Sequence, residues 1–176
     1  MKKQESTQVI ISIEAQKVLL EDVYQRRNIE ACGVLIGKID EYGNWHVSHA
    51  HPLRNIFASP VYFEFAPEDL LAIELSHPGQ IVGVYHSHPT GFATASNTDR
   101  KNMRRVNLEQ QIPWVWLIIS GPFDTNFLQQ VQGRIENASI SAYHHYKEGL
   151  RQISLCAEQT DRTSLSNHFP YPNQQD

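Results

Sequence analysis

The sequence has little of what several classes of protein require. Its formal net charge is -4, with 15 Lys and Arg against 19 Asp and Glu, so it lacks the basic excess of a nucleic-acid-binding protein. No apolar run approaches the roughly 18 residues of a transmembrane helix. The first residues show no small-residue cleavage site of a signal peptide. We therefore expect a protein that binds neither nucleic acid nor a membrane.

Cysteine is also scarce. The two cysteines, Cys32 and Cys156, form neither a Cys-x-x-Cys pair nor a disulfide framework. We expect both to be buried thiols without a function, and a reducing cytoplasm as the location. The hydrophobic content of 40% and the charged content of 19% are ordinary for a globular protein, and 176 residues suffice for the core of one domain.

Strands alternate with helices along the chain. Hydrophobic patterning predicts strands at 8–13, 32–39, 45–53, 62–65, 81–88, 114–120, 140–146 and 151–156. Helical spacing of apolar residues, or a proline in the first turn at Pro67, predicts helices at 14–29, 67–76 and 97–110. The segment 124–137 fits either a helix or a strand. This order predicts an α/β domain with a mixed sheet over residues 1–157. Residues 158–176 are polar and are expected to be a flexible tail.

The stretch HSHPTGFATASNTD, residues 86–99, contains the side chains of a metal site. His86 and His88 lie two apart at the end of a predicted strand, so both imidazoles point to the same face. Asp99 falls in the first turn of the predicted helix and becomes a third ligand if the loop folds back. A catalytic zinc takes three nitrogen or oxygen ligands and keeps one position open. The spacing therefore predicts one catalytic Zn²⁺ per chain.

Two further residues are candidates for the chemistry around such a zinc. Ser96 precedes Asp99 by three residues, and its hydroxyl can cap the helix or donate to an oxyanion beside the metal. These two roles compete for one hydroxyl. Amide hydrolysis also needs a general acid/base, and Glu30, between the first helix and the next strand, is the candidate. Spacing alone favours an exposed residue at the end of a helix for Glu30.

Two motifs together resemble those of the JAMM, or MPN-plus (Mov34-type), zinc metalloproteases of the bacterial single-domain type. That family carries Glu-x-x-Gly-x-Leu-x-Gly upstream and His-x-His-Pro, six residues, Ser-x-x-Asp downstream. The similarity in the order of elements extends from about residue 8 to residue 157. The matching positions are Glu30, Gly33, Leu35, Gly37, His86, His88, Pro89, Ser96 and Asp99.

The resemblance implies a fold and a set of roles. The fold would be a cytidine-deaminase-like three-layer α/β sandwich, with a mixed central sheet and helices on both faces. His86, His88 and Asp99 would hold the zinc, Glu30 would be the general acid/base, and Ser96 would stabilise the oxyanion. The activity would be hydrolysis of the amide bond after the C-terminal tail of a ubiquitin-like protein or its conjugate. The segment from Asn55 to Phe65 is the expected part of the substrate groove, with a surface loop as the alternative.

The motifs are compatible with more than one substrate, and three rival functions have to be compared with them. Deconjugation or precursor processing, including a bacterial conjugation or antiphage system, is one possibility, and maturation of a ubiquitin-like sulfur carrier is another. Neighbouring genes for E1-like or E2-like enzymes would favour the first. A non-catalytic MPN-type scaffold usually lacks a ligand, whereas this chain has all three. A zinc deaminase would need His-x-Glu and Pro-Cys-x-x-Cys, which are absent, and a structural zinc prefers four closed ligands.

Overall fold

The computed structural model describes residues 7–159, in which seven strands and four α-helices follow one another. The strands are β1 (Gln8–Ile11), β2 (Cys32–Ile39), β3 (Trp45–Leu53), β4 (Ile81–His88), β5 (Val115–Ser120), β6 (Ser139–Tyr146) and β7 (Gly149–Ala157). The helices are α1 (Ile13–Gln25), α2 (Pro67–Ser76), α3 (Asn97–Arg104) and α4 (Phe127–Val131).

The strands form one mixed sheet in the order β1-β3-β2-β4-β5-β6-β7, and β7 pairs with β1, so the sheet closes into a barrel. The pairs β1–β3, β1–β7 and β4–β5 are parallel, and the other pairs are antiparallel. The expected α/β class with a mixed sheet is confirmed. The closure through β1 and β7 was not part of the expected layered sandwich.

Apolar side chains pack on both faces of the sheet. In β4, Val84 belongs to one buried cluster and Tyr85 to the other, because successive strand residues point to opposite faces. Helix α1 contributes Leu19 to the cluster of Tyr85, and α3 contributes Met103 to the cluster of Val84. β4 is apolar along most of its length because it has strand neighbours on both sides and packed residues on both faces.

Strand β1 ends at Ile11 rather than at residue 13, and three predicted elements differ from the structure by more than two residues or do not form. Helix α1 ends at Gln25 rather than at residue 29, because the Arg26 side chain donates to the carbonyl oxygens of Cys32 and Leu53 and a turn follows. The predicted strand at 62–65 is wrong. Only an isolated bridge joins Asn55 to Phe65, because the backbone in between bonds to a side chain instead of to a strand. The predicted helix at 97–110 is α3 followed by one π-helical turn, Arg105–Glu109.

The remaining expectations concern the segment 124–137, the two cysteines, the C-terminal tail and transmembrane helices. The ambiguous segment 124–137 contains the short helix α4 and a 3₁₀ turn, Ile135–Asn137. Cys32 is buried as expected, but Cys156 is exposed, because it lies on the outward side of β7. Of the predicted tail, residues 160–176 lie outside the described residues. Glu158 still bonds to the domain: its N–H donates to the Ile11 carbonyl over 2.9 Å. Between residues 7 and 159, no helix combines the length and the apolarity needed to cross a bilayer.

Candidate metal centre

The three predicted ligands meet at one point between β4 and α3. His86 and His88 lie at the end of β4, and Asp99 lies in the first turn of α3. The two imidazole Nε2 atoms are 3.0 Å apart. The Asp99 carboxylate lies 3.2 Å from Nε2 of His86 and 3.4 Å from Nε2 of His88. The loop 89–96 therefore folds back as the spacing requires.

These separations fit a tetrahedral ion. Zinc binds nitrogen and oxygen at about 2.0–2.2 Å, so two of its ligands in a tetrahedron lie about 3.3–3.6 Å apart. Here the two Nε2 atoms are 3.0 Å apart, Nε2 of His86 lies 3.2 Å from Oδ1 of Asp99, and Nε2 of His88 lies 3.4 Å from Oδ2 of the same carboxylate. Two unsaturated nitrogens and one carboxylate oxygen form the donor set of a catalytic zinc with an open fourth position. The residues present therefore fit the metal that the motif predicts.

The surroundings hold the two imidazoles in place. Nδ1 of His88 lies 2.7 Å from the carbonyl oxygen of Phe92, and donation of its proton there leaves Nε2 with a free lone pair. The ring of Phe63 stacks on His86 with the centroids 4.5 Å apart. Nδ1 of His86 is buried and has no hydrogen-bond partner within residues 7–159.

The charge states of His86 and Asp99 agree with metal binding. Burial lowers the pKa of His86 and outweighs the opposing effect of Asp99, so the imidazole is neutral near pH 7. Burial also tends to lower the pKa of His88, but its contacts with Asp99 and the Phe92 carbonyl outweigh burial and raise it. Burial raises the pKa of Asp99, yet the two imidazoles and Ser96 together hold it below its ordinary value. Asp99 is therefore a carboxylate, the form that binds a metal.

Ser96 caps helix α3. Its Oγ accepts a hydrogen bond from the N–H of Asp99 over 3.1 Å, and the Asp99 carboxylate accepts one from the N–H of Ser96 over 2.7 Å. This reciprocal capping box orients the carboxylate ligand. A hydroxyl has one donor and two acceptor sites, and the bond from the Asp99 N–H uses one acceptor site of Ser96 without using its proton. The two roles that the sequence set in competition are therefore compatible.

Glu30 is buried beside the ligands rather than exposed at a helix end. Its side chain lies near enough to His88 and Asp99 for both charges to act on it, and only 6% of the residue is exposed. Burial is the largest cause that raises its pKa, to about 7, with Asp99 adding to the increase and His88 opposing it. A carboxyl group with a pKa near the working pH can both accept and return a proton.

The family of the chain follows from its sequence match. The family described as prokaryotic homologs of the JAB domain matches residues 13–131, which include all five predicted site residues. The chain belongs to this family.

Three curated relatives match parts of this JAB-family chain. A desampylase of Haloferax volcanii is 44% identical over 77 residues, which are 41% of this chain and 52% of the relative. A desampylase of Pyrococcus furiosus is 33% identical over 101 residues, 56% of this chain and 64% of the relative. Tail tip assembly protein K of Escherichia phage lambda is 39% identical over 56 residues, 32% and 25% of the two chains. The chain thus spans less than two thirds of the length of each.

Two solved structures share the fold of the JAB-family chain. A protein from Desulfitobacterium hafniense superimposes with a TM-score of 0.65 at 20% identity and covers 91% of this chain and 99% of its own. A JAB1/MPN domain protein from Archaeoglobus fulgidus superimposes with a TM-score of 0.50 at 17% identity and covers 88% and 99%. At these identities the likeness concerns the fold.

One glycine of the upstream JAB motif has a clear packing reason. A Cβ on Gly33 would collide with the backbone oxygen of His51 and with the ring of Tyr85. The lack of a side chain at Gly33 therefore lets β3 and the Tyr85 ring pack closely against β2, one residue away from Cys32, which pairs with His86. Close approach of this kind is a common reason for glycine inside a strand.

Sequence reasoning missed several residues that shape the site. Ser87, between the two histidines, is fully buried, and its Oγ accepts a hydrogen bond from the N–H of Ala31, the neighbour of Glu30. A polar residue inside an otherwise buried strand is a signal that could have revealed it. Phe63 and the carbonyl of Phe92 gave no such signal, because loop geometry brings them to the histidines.

Proposed function

We propose that the chain is a zinc-dependent isopeptidase or peptidase that hydrolyses the amide bond after the C-terminal tail of a ubiquitin-like protein. The observation that carries this proposal is the convergence of His86, His88 and Asp99 on one point, with the buried carboxyl group of Glu30 beside them. Membership of the JAB family and the similarity to two proteins named desampylase support it.

Each residue has a separate task in the proposed reaction. Zinc held by His86, His88 and Asp99 would supply Lewis acidity that makes water a nucleophile at neutral pH. Glu30 takes the proton of the attacking water and returns it to the leaving amine, for which a pKa of about 7 is suitable. The Ser96 hydroxyl, whose oxygen accepts from the Asp99 N–H, donates a hydrogen bond to the oxyanion of the attacked carbonyl and keeps its proton.

The segment from Asn55 to Phe65 is proposed as part of the substrate groove. Phe63 reaches His86 from this segment, which places the segment next to the ligands. An extended tail can add beside such a segment and pass small residues close to the reacting atoms. Apolar side chains of this segment are exposed and available for the body of a ubiquitin-like protein: Ile56, Phe57, Val61 and Tyr62.

We also propose that the α/β fold is a cytidine-deaminase-like three-layer sandwich. A cytidine-deaminase-like three-layer sandwich has helices on both faces of its sheet. The two apolar clusters, one with Leu19 of α1 and one with Met103 of α3, support this arrangement for residues 7–159. The pairing of β7 with β1 adds a closure at the edge of the sheet.

A cleavage assay tests the proposed function. The zinc-loaded chain is incubated with a ubiquitin-like protein ending in Gly-Gly, joined in one substrate to a linear extension and in another to a lysine side chain. We expect release of the ubiquitin-like protein, loss of release with a chelator, and recovery on addition of Zn²⁺. Cleavage of only the linear fusion of a sulfur carrier would assign carrier maturation. Zinc binding without cleavage of any substrate would favour a scaffold and contradict the proposal.

A further inference from the structure

Both backbone polar groups of Glu30 are bound by a single loop. The Glu30 N–H donates to the carbonyl oxygen of Ser59 over 2.7 Å. The Glu30 carbonyl accepts from Nδ2 of Asn55 over 3.1 Å. Glu30 lies in neither α1 nor β2, so regular secondary structure does not fix its backbone. Its position therefore depends on the loop from Asn55 to Phe65.

The Asn55 side chain holds that loop together. Besides the Glu30 carbonyl, its Nδ2 donates to the Tyr62 carbonyl over 2.9 Å. Its Oδ1 accepts from the N–H of Phe57 over 3.1 Å and from the N–H of Glu64 over 3.3 Å. All four hydrogen-bonding sites of the amide are thus used, and only 7% of the residue is exposed.

The other side of Glu30 is fixed to the ligand strand. The N–H of Ala31 donates to Oγ of Ser87 over 2.8 Å, and the N–H of Ser87 donates to the Ala31 carbonyl over 2.9 Å. Ala31 is therefore tied to the residue between the two histidines. Because Ala31 is fixed, the contact of Asn55 with the Glu30 carbonyl determines the direction in which the chain enters β2. It thereby determines where the Glu30 carboxyl group lies.

We propose that Asn55 is a positioning residue for the general acid/base: its amide sets the Glu30 backbone against the metal ligands. This inference rests on the proposed function for its catalytic consequence, while the hydrogen bonds that carry it are independent of any activity. Asn55 itself contacts neither the ligands nor the reacting atoms, so it acts through Glu30.

The chain offers a matched control in Asn107. Its Nδ2 donates to the carbonyls of Ile112 and Trp114, both over 2.9 Å. Its Oδ1 accepts from Nε1 of Trp116 over 3.1 Å and from the N–H of His145 over 3.0 Å. It has the same four-bond pattern and nearly the same burial as Asn55, with 9% of the residue exposed. Asn107 binds the chain just before β5, whereas His88 pairs with Ser120 at the other end of that strand. The control residue therefore lies away from the metal centre.

The test compares Asn55→Asp with Asn107→Asp in the full chain. Each substitution removes two N–H donors and keeps the acceptor, so both should lower stability to a similar degree. In Asn55→Asp we expect unchanged zinc content and a kcat lower by roughly ten- to a hundredfold, since small displacements of a catalytic group cost this much. Amide hydrogen exchange of the metal-free chain should become about tenfold faster at Glu30. Asn107→Asp should keep kcat and that exchange rate within about twofold of the wild type.

Several outcomes would overturn the inference. A higher KM with unchanged kcat would make Asn55 a residue of the substrate loop only. An unchanged rate of amide hydrogen exchange at Glu30 would refute the positioning role, whether or not the chain cleaves any substrate. Failure of this inference can therefore be told apart from failure of the proposed function. Asn55→Ser, which introduces no charge, serves if Asn55→Asp does not fold. If both Asn55 variants unfold while Asn107→Asp folds, the residue supports the fold itself and the inference is wrong.

Discussion

Two buried polar clusters lie on opposite faces of β4 and begin at adjacent residues. Tyr85 points to one face, where its hydroxyl donates to Asp22 over 2.8 Å. Both oxygens of Asp22 also accept from Arg26, over 2.8 and 2.6 Å. His86 points to the other face and meets His88 and Asp99, the other two candidate metal ligands. One strand therefore contributes to two groups of titratable side chains, one on each face of the sheet.

The cluster around Asp22 satisfies its own hydrogen bonds. The Arg26 guanidinium donates to the carbonyls of Leu53 and Cys32 over 2.6 and 2.8 Å, in addition to Asp22. Burial is the main cause that raises the pKa of Cys32 to about 12 and the pKa of Tyr85 well above its usual value. Both groups are therefore neutral at physiological pH. This cluster joins α1 to the sheet and has no free group for chemistry.

The cluster around His86 is not satisfied in this way. Two imidazole nitrogens face each other and one carboxylate, and Nδ1 of His86 has no partner within residues 7–159. Burial and titratable groups are common to both clusters, so neither feature distinguishes a site from a structural network. The difference lies in whether the polar atoms bond to one another or converge on a shared point.

The largest effect should come from a ligand of the His86 cluster. Replacement of His88 by Ala removes one of three ligands, so we expect the zinc content to fall from about one per chain to about zero. Tyr85→Phe, on the other face of the same strand, should keep the metal. Metal analysis after gel filtration measures both. Full zinc content in His88→Ala would contradict the ligand assignment.

The next effect concerns the acid/base beside the ligands. Glu30→Ala should keep the zinc and lower hydrolysis by about 10²- to 10⁴-fold, the usual contribution of a general acid/base. The reason is that Glu30 moves the proton but is not needed to hold the metal. Turnover at saturating substrate and zinc content should be measured on the same preparation. Wild-type turnover in this variant would remove Glu30 from the mechanism.

Breaking the satisfied cluster should affect stability instead of metal binding. Asp22→Ala leaves Arg26 and the Tyr85 hydroxyl without their partner, and we expect a loss of about 3–5 kcal/mol in the free energy of unfolding. Zinc per folded chain should remain about one. The exposed ion pair of Glu68 with Arg54 provides the control, and Glu68→Ala should leave the denaturation midpoint unchanged. Loss of zinc from folded Asp22→Ala would show that the two faces are coupled.

The sequence predicted that His86, His88 and Asp99 would meet, but it did not predict the partners of the two clusters. The spacing of His86 and His88 fixes their common face, because strand residues two apart point the same way. The capping pattern at Ser96 and Asp99 likewise depends on local spacing. In contrast, the contact of Arg26 with the Leu53 carbonyl joins residues 27 positions apart. No local pattern specifies such a contact, so the early end of α1 could not be predicted.

The same distinction explains the failed strand at 62–65. Its aromatic residues have high strand propensity, and the local prediction followed from them. The Asn55 amide instead binds the carbonyl of Tyr62 and the N–H of Glu64, which removes those groups from any ladder. Spacing also could not indicate that Glu30 is buried, because residues of this distant loop, Asn55 and Ser59, bind its backbone. Glu30 was a candidate for the general acid/base from the chemistry of amide hydrolysis, and the resemblance of the motif strengthened that candidate against the exposed helix end that spacing alone favours.

The smallest effect is the contribution of Glu30, beside the candidate metal ligands, to the pH dependence of stability. Because burial raises the pKa of Glu30 from 4.5 to about 7, the folded chain binds more protons than the unfolded chain between these values. The free energy of unfolding of the metal-free protein should therefore fall as the pH rises from 4.5 through 7. We expect Glu30→Gln to remove about 1–2 kcal/mol of this decrease, allowing for partial solvent screening.

Urea denaturation of the chelated protein at several pH values measures this dependence. Glu148→Gln, in the exposed turn between β6 and β7, is the control and should keep the wild-type slope. The comparison separates Glu30 from the nearby histidines, because their titration is present in both variants. If the decrease persists in Glu30→Gln, the histidines cause it, and burial of the Glu30 carboxyl group does not favour its protonated form.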